Sequence, residues 1–158
     1  MDRYNWINMA TQFLSPSFNY TVTIPSTSIT PITVGAYNHL DNSLYISSGR
    51  GPTRDGRIKP EMIAPGVNIL GPIPNNQYTR RTGTSIAAAH LAGGTALILE
   101  WGIELGNDIN MNTQTVKNVL IRGANRIATL DYPNNDWGFG TLNLINSFEI
   151  LRGSEFEI

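Results

Sequence analysis

The feature that most constrains this chain is a helix-length segment without a polar face. From Ser85 to about Trp101, apolar residues (Ala87, Ala88, Leu91, Ala92, Ala96, Leu97, Leu99) fall on nearly every side of a helical wheel. A helix that is apolar all round is stable only where other structure encloses it, so the segment predicts a buried central helix, ended by Gly102. Directly ahead, Gly83-Thr84-Ser85 forms a glycine turn that brings a serine to the helix mouth. A serine hydroxyl is a weak nucleophile at neutral pH; it needs a base beside it and fixed N–H groups facing the oxyanion it creates. A helix N-terminus supplies free N–H groups and a positive dipole end. The same residues, taken alone, also fit a capped core helix with no chemistry.

The rest of the composition limits the partners. With 158 residues, 41% hydrophobic and 15% charged, the chain is long enough for one domain with a real core. Eleven basic and twelve acidic residues leave a net charge of -1, so nothing draws the chain toward nucleic acid or an anionic membrane. The absence of cysteine excludes a disulfide framework, a thiol nucleophile and a zinc-thiolate site, and leaves the redox compartment open. Met1-Asp2-Arg3-Tyr4-Asn5-Trp6 carries no basic leader or apolar signal core, and the longest apolar run, Thr95 to Trp101, is too short for a bilayer. A soluble chain of unknown compartment is expected, without a membrane partner. Asp41, Asp55, Asp108, Asp131 and Asp136 are scattered, so neither a metal site nor a cofactor is expected.

Along the chain, residues 1 to about 22 alternate aromatic and polar types and read as short strands. Ile32 to Tyr37 reads as a buried parallel strand, Leu44-Tyr45-Ile46 as a second short strand, and Ser47 to Pro52 as a glycine-proline loop. Glu61 to Ala64 makes a strand closed by Pro65-Gly66, and Val67 to Leu70 another, with a loop through Pro72, Pro74, Asn75 and Asn76 to Tyr78-Thr79-Arg80. After the central helix, Asn112 or Thr113 caps a second helix through about Arg122, stopped by Gly123. Pro133 to Gly140 is a rigid loop before a last helix near Asn143 to Leu151. These elements give an α/β fold with a parallel sheet around the helix that starts at Ser85.

Four blocks in order resemble the subtilisin-like serine peptidases, the subtilases. Gly83-Thr84-Ser85-Ile86-Ala87-Ala88-Ala89-His90-Leu91-Ala92-Gly93 is similar to the family's serine signature, with Ile86 for Met, Ala89 for Pro and Leu91 for Val. Ile32 to Ala36 with Ser47-Ser48-Gly49-Arg50-Gly51-Pro52 resembles the strand and Ser-Ser-x-Gly-Pro loop, one residue longer than the commonest form. Lys59-Pro60-Glu61-Met62-Ile63-Ala64-Pro65-Gly66 matches the Lys-Pro-Asp-Ile-x-Ala-Pro-Gly block, and Trp137-Gly138-Phe139-Gly140 the C-terminal Gly-Tyr/Phe-Gly block. Together they cover roughly residues 23 to 151. Leu99-Glu100-Trp101-Gly102, Leu120 to Ala124 and Tyr132-Pro133-Asn134 further resemble the Csp-type spore-germination subtilases. In that group a jelly-roll insert precedes this region, which would make residues 1–22 the end of such an insert and 23–158 the C-terminal part of a peptidase domain. A spore or cytoplasmic location follows if the chain is of that type.

The resemblance implies that Ser85 is the nucleophile, that its own N–H is one oxyanion donor, and that Thr84 adds a hydroxyl. It also implies a substrate-pocket wall at Thr23, Ile24, Pro25, Ser26 and Thr27, with Gly83 beside the substrate. The family's Asp-Thr-Gly-like and His-Gly-Thr-like motifs are absent from these residues, as is its Ala-Gly-Asn-like oxyanion motif. His90 lies five positions after Ser85, about 140° around the helix and about 7.5 Å along it, so it is read as a packed, hydrogen-bonded helix residue rather than the base. His39 and Asn19 are read as surface or structural residues, and Arg80 and Arg81 as exposed charge. An α/β-hydrolase elbow is disfavoured because Gly83-Thr84-Ser85-Ile86-Ala87 lacks the second glycine.

The expected parent is thus a serine endopeptidase acting on peptides or proteins, of which this chain is an inactive C-terminal part. Its expected partners are the N-terminal half of the domain or a propeptide, and a second copy of itself through uncovered surface. The alternative is a non-catalytic, subtilase-derived binding or regulatory protein that keeps the serine without a base.

Overall fold

A computed structural model describes residues 15–153 of the chain. Its centre is the parallel pair β1 (Val34–Asn38) and β3 (Met62–Pro65), in register from Val34 opposite Met62 to Tyr37 opposite Pro65. The two-residue β2 (Ser43–Leu44) pairs antiparallel with the far end of β1. On the other side of β3, Ile63 bridges to Thr141 in parallel sense, its N–H donating to Gly140 O and its carbonyl accepting from Leu142 N–H. The expected parallel sheet is therefore present at its core, with an antiparallel margin at β2. Residues 15–22 form turns and bends rather than strands, although Tyr20 and Thr21 donate N–H bonds to Gly51 and Arg50; residues 1–14 lie outside the described part.

A separate antiparallel hairpin, β4 (Ile69–Ile73) and β5 (Gln77–Arg81), replaces the expected single strand and longer loop. Asn75 and Asn76 make its turn possible by adopting left-handed backbone, at φ 66° and 54°. Asparagine tolerates that region because its short side chain hydrogen-bonds locally. Pro72 sits within β4, where a two-stranded ribbon does not need its missing N–H.

The hairpin leads into α1 (Thr84–Leu99), which lies across β1 and β3. Ala36 of β1, Ala64 of β3 and Ala87 of α1 meet in one buried cluster, and three methyl-sized side chains let helix and sheet approach closely. Further along, Leu91 and Ile98 join Met62, Met111, Val116, Val119, Leu120 and Leu151 in the main core. The α-helix ends at Leu99, not at Gly102: the chain continues as a π-helical stretch, Glu100–Glu104. Gly102 is buried there because a Cβ would stand 2.9 Å from the Met111 sulfur. Together Thr84–Glu104 is long and apolar enough to cross a membrane by composition, and one side of it packs on β1 and β3.

α2 (Thr113–Gly123) starts at Asn112, whose side-chain oxygen accepts from Gln114 and Thr115 N–H, the expected cap. α3 (Leu144–Gly153) packs on α2. Gly123 has no room for a side chain there, since a Cβ would meet Ser147.

Burial of α1 departs from expectation in one respect. Ala87, Leu91, Gly94 and Ile98 are buried, but Ala88, Ala89, Ala92, Gly93, Ala96 and Leu97 are exposed. The helix is enclosed on one face and bare on the other.

Candidate functional site

Ser85 is the second residue of α1, exposed, with a side-chain oxygen that has no hydrogen-bond partner among the described residues. The chain holds it there through Gly66. The Gly66 N–H donates to Tyr37 O at the end of β1, and its carbonyl accepts from Gly83 N–H at 2.8 Å. A Cβ on Gly66 would lie 2.7 Å from the Ala36 methyl and 2.9 Å from Gly83 O, so only glycine lets the strand end and the serine turn touch. Gly83 caps the helix by its backbone: its carbonyl accepts from Ile86 and Ala87 N–H, and no side chain closes the helix mouth. The N–H groups of Thr84 and Ser85 consequently point outward without an acceptor among the described residues. Two free donors at the positive end of a sixteen-residue helix favour an anion or a developing oxyanion.

Beside this turn lies a cavity of about 410 Å³ with Thr84 at its edge. Thr23 and Ser26 line it. Ile24 and Thr27 instead line an adjoining hollow of about 640 Å³, into which Thr23 also faces, while Pro25 lines neither. The opposite wall is the loop Ile46 to Arg50, and Phe18 and Val22 complete it. Sequence reading assigned no role to these residues, although the Ser47-Ser48-Gly49-Arg50 loop was visible as a motif.

The wall is fixed from behind by a buried charge trio that sequence reading missed. Glu61 Oε1 accepts from Lys59 Nζ at 2.6 Å and from Lys117 Nζ at 2.9 Å, and its Oε2 accepts from Thr33 N–H at 2.7 Å. Lys59 also donates to Pro31 O and Thr33 Oγ1, and Lys117 to Ile29 O. The Thr33 hydroxyl in turn donates to Ser26 O at 2.8 Å, which ties the trio to the pocket wall. Two ammonium groups and one carboxylate inside a protein are tolerated only because carbonyl and hydroxyl oxygens take the remaining N–H bonds.

Among the described residues, none of the other candidates hydrogen-bonds to Ser85. His90 is bonded to its own helix, Nδ1 to Ile86 O at 3.1 Å, but it is exposed rather than packed, because the face of α1 that carries it is bare. His39 and Asn19 each lie in an exposed turn. Arg80 donates to Asn68 O, and both Arg80 and Arg81 are exposed. At the periphery, Asp55 accepts from the Thr53 hydroxyl and pairs with Arg57 at 2.9 Å, and these contacts hold its carboxyl below the usual range.

Comparison with known proteins places this arrangement. Residues 13–140 match the model of the subtilase family. The chain is 35% identical over 112 residues to pyrolysin of Pyrococcus furiosus, covering 66% of this chain and 8% of that protein. It is 34% identical over 147 residues to the serine protease AprX of Bacillus subtilis, covering 80% of this chain and 31% of the relative. The solved structure of the CspB protease of Clostridium perfringens superposes with a TM-score of 0.86 at 42% identity, over 90% of this chain and 31% of that one. The chain thus spans less than a third of each of these three relatives.

Proposed function

We propose that Ser85 is the nucleophile of a peptide-cleaving enzyme, a reading that starts from the chain's membership: it belongs to the subtilase family of serine proteases. The observation that carries it is exposed Ser85, its oxygen unbonded among the described residues, at a helix mouth with two N–H donors likewise without an acceptor there and a pocket alongside. In this reading a substrate carbonyl carbon is attacked by Ser85 Oγ. The oxyanion that forms accepts from the Ser85 N–H, and the Thr84 hydroxyl lies close enough to add a donor. Its collapse breaks the C–N bond and releases the amine, protonated by the base that took the Ser85 proton, and water then hydrolyses the acyl-serine. The side chain preceding the cleaved bond enters the cavity lined by Thr23 and Ser26, and Gly83 lies along the substrate backbone.

The proton acceptor and its orienting acid come from outside these 158 residues. Neither histidine bonds to Ser85 among the described residues: His90 is tied to Ile86 O, and His39 lies in an exposed turn. The bare face of α1, with its row of alanines, is the surface that the polypeptide carrying those two residues covers. Left uncovered, it promotes self-association. The 158-residue chain alone is then inactive, because triad members act as a unit and loss of the base removes several orders of magnitude of rate.

An active-serine fluorophosphonate probe tests this. The complete protein containing these residues should be labelled, Ser85→Ala should abolish labelling, and the isolated chain should remain unlabelled. A complete protein that resists the probe while folded would refute the reading.

A further inference from the structure

The pocket beside Ser85 has an unusual chemistry for its size. Of its lining residues one is ionisable, Arg50, and none is acidic. The hydroxyls of Thr23, Ser26, Ser47 and Thr84 have no hydrogen-bond partner among the described residues, whereas those of Thr21 and Thr33 are occupied by backbone carbonyls. Arg50 is held with its guanidinium carbon 5.0 Å above the centre of the Phe18 ring. Its Nε is buried without a hydrogen bond and is ion-paired at 3.6 Å with Asp136, which lies outside the pocket lining. The cavity therefore presents several free O–H donors and one cation whose hydrogen bonding is incomplete.

We infer that this pocket accepts a side chain ending in a carbonyl or carboxylate oxygen, that of glutamine or glutamate, and selects substrates by it. The inference rests on Ser85 being the attacking group, and it names the substrate class of that site. The argument is one of satisfaction. An oxygen acceptor entering the cavity pairs with hydroxyls that otherwise stay unpaired once water is displaced, and with Arg50, whose ion pair with Asp136 leaves its hydrogen bonding incomplete. An aromatic or aliphatic side chain would bury those donors without partners, and sites built to hydrogen-bond a substrate reject analogues lacking the group far more strongly than apolar pockets reject misfits. A lysine or arginine side chain would bring a second cation toward Arg50 with no acid in the lining to receive it. Arg50 acts on both ligands through hydrogen bonding, and on glutamate through charge as well.

Peptide binding to the full chain carrying Ser85→Ala reads the pocket separately from catalysis. The probes are four N-acetylated tetrapeptides, Ala-Ala-Ala-X, with X glutamine, glutamate, phenylalanine or lysine, followed by amide chemical shifts. Glutamine and glutamate peptides should shift Thr23, Ser26 and Arg50 and bind at least about tenfold more tightly than the phenylalanine peptide, with lysine weakest. Tighter binding of phenylalanine or lysine, or no shift at these residues with any peptide, would overturn the inference. Arg50→Gln should weaken the glutamate peptide about tenfold and the glutamine peptide by less than about threefold. Should that variant not fold, Thr23→Val, at an exposed position, should weaken both oxygen-ended peptides and leave phenylalanine unchanged. Equal effects on all four peptides in both variants would contradict the assignment. Glutamine binding at the pocket in a complete protein that the fluorophosphonate probe does not label would refute the nucleophile alone; labelling with a preference for phenylalanine would refute the pocket alone.

Discussion

The two faces of α1 have nearly the same composition and opposite surroundings. Ala87, Leu91 and Ile98 lie against β1, β3 and α2 in the core, while Ala88, Ala92, Ala96 and Leu97 on the same helix face open space. Hydrophobic patterning records where a residue is buried in the working protein, not which stretch of chain buries it. On the buried face every neighbour is in hand, down to Gly66, which holds the serine turn against β1. The bare face has no such neighbours among the described residues, and it adjoins the hairpin β4–β5, with which it forms an apolar hollow of about 770 Å³. The difference separates the face of α1 that the described residues enclose from the face that they leave open.

The largest effect should come from breaking the support behind the built side. Glu61→Ala leaves Lys59 and Lys117 as two buried ammonium groups without a counter-charge, and should destabilise the chain by about 3–5 kcal/mol in urea unfolding. A loss under about 1 kcal/mol would mean that the trio is solvated in solution.

A sharper test compares adjacent residues of α1. Leu91→Ala removes core volume and should cost about 2–5 kcal/mol, whereas Ala92→Gln, one position on, should stay within about 0.5 kcal/mol in the isolated chain. The same Ala92→Gln change should weaken assembly into active enzyme. Equal costs for the two would erase the distinction between the faces.

The smallest effect lies at the periphery. Asp55 is exposed, and its lowered pKa, caused first by the Thr53 hydroxyl and then by Arg57, supports stability above the unfolded carboxylate value near about 4. That support is lost as pH falls through the lowered folded value. Thr53→Val should therefore lower the urea midpoint slightly at neutral pH, and its deficit should shrink in acid, leaving only the part due to the lost bond from Arg57 N–H. A deficit that grows below about pH 4 would have the wrong sign.

Much of this was legible in residues whose local chemistry decides their conformation. Asn112 caps α2 by its own side chain, and Gly83-Thr84-Ser85 leads straight into a helix. What escaped reading depends on distant partners. Lys59 and Glu61 on one stretch look like ordinary solvated charges, and only the fold brings Lys117, 56 positions beyond Glu61, onto the same carboxylate. The π-helical continuation past Leu99 depends on Met111 packing over Gly102, which no helical periodicity encodes. The two-strand hairpin was read as one strand because β5 (Gln77–Arg81) is polar and exposed, with nothing in its composition that demands pairing. Pocket residues such as Arg50 carried a motif but no visible role, since the cavity is assembled from five separate stretches of chain.

The chain contains no cysteine, so a single introduced thiol reports one position cleanly. The most direct test is the labelling rate of Ala92→Cys by a small maleimide, in the isolated chain and in the complete protein that carries the remaining triad residues. Labelling should be fast in the isolated chain and at least about a hundredfold slower in the complete protein, as expected of a position that becomes buried. Equal rates in both would show that nothing covers the bare face of α1, and would contradict the account that a partner segment completes the site at Ser85.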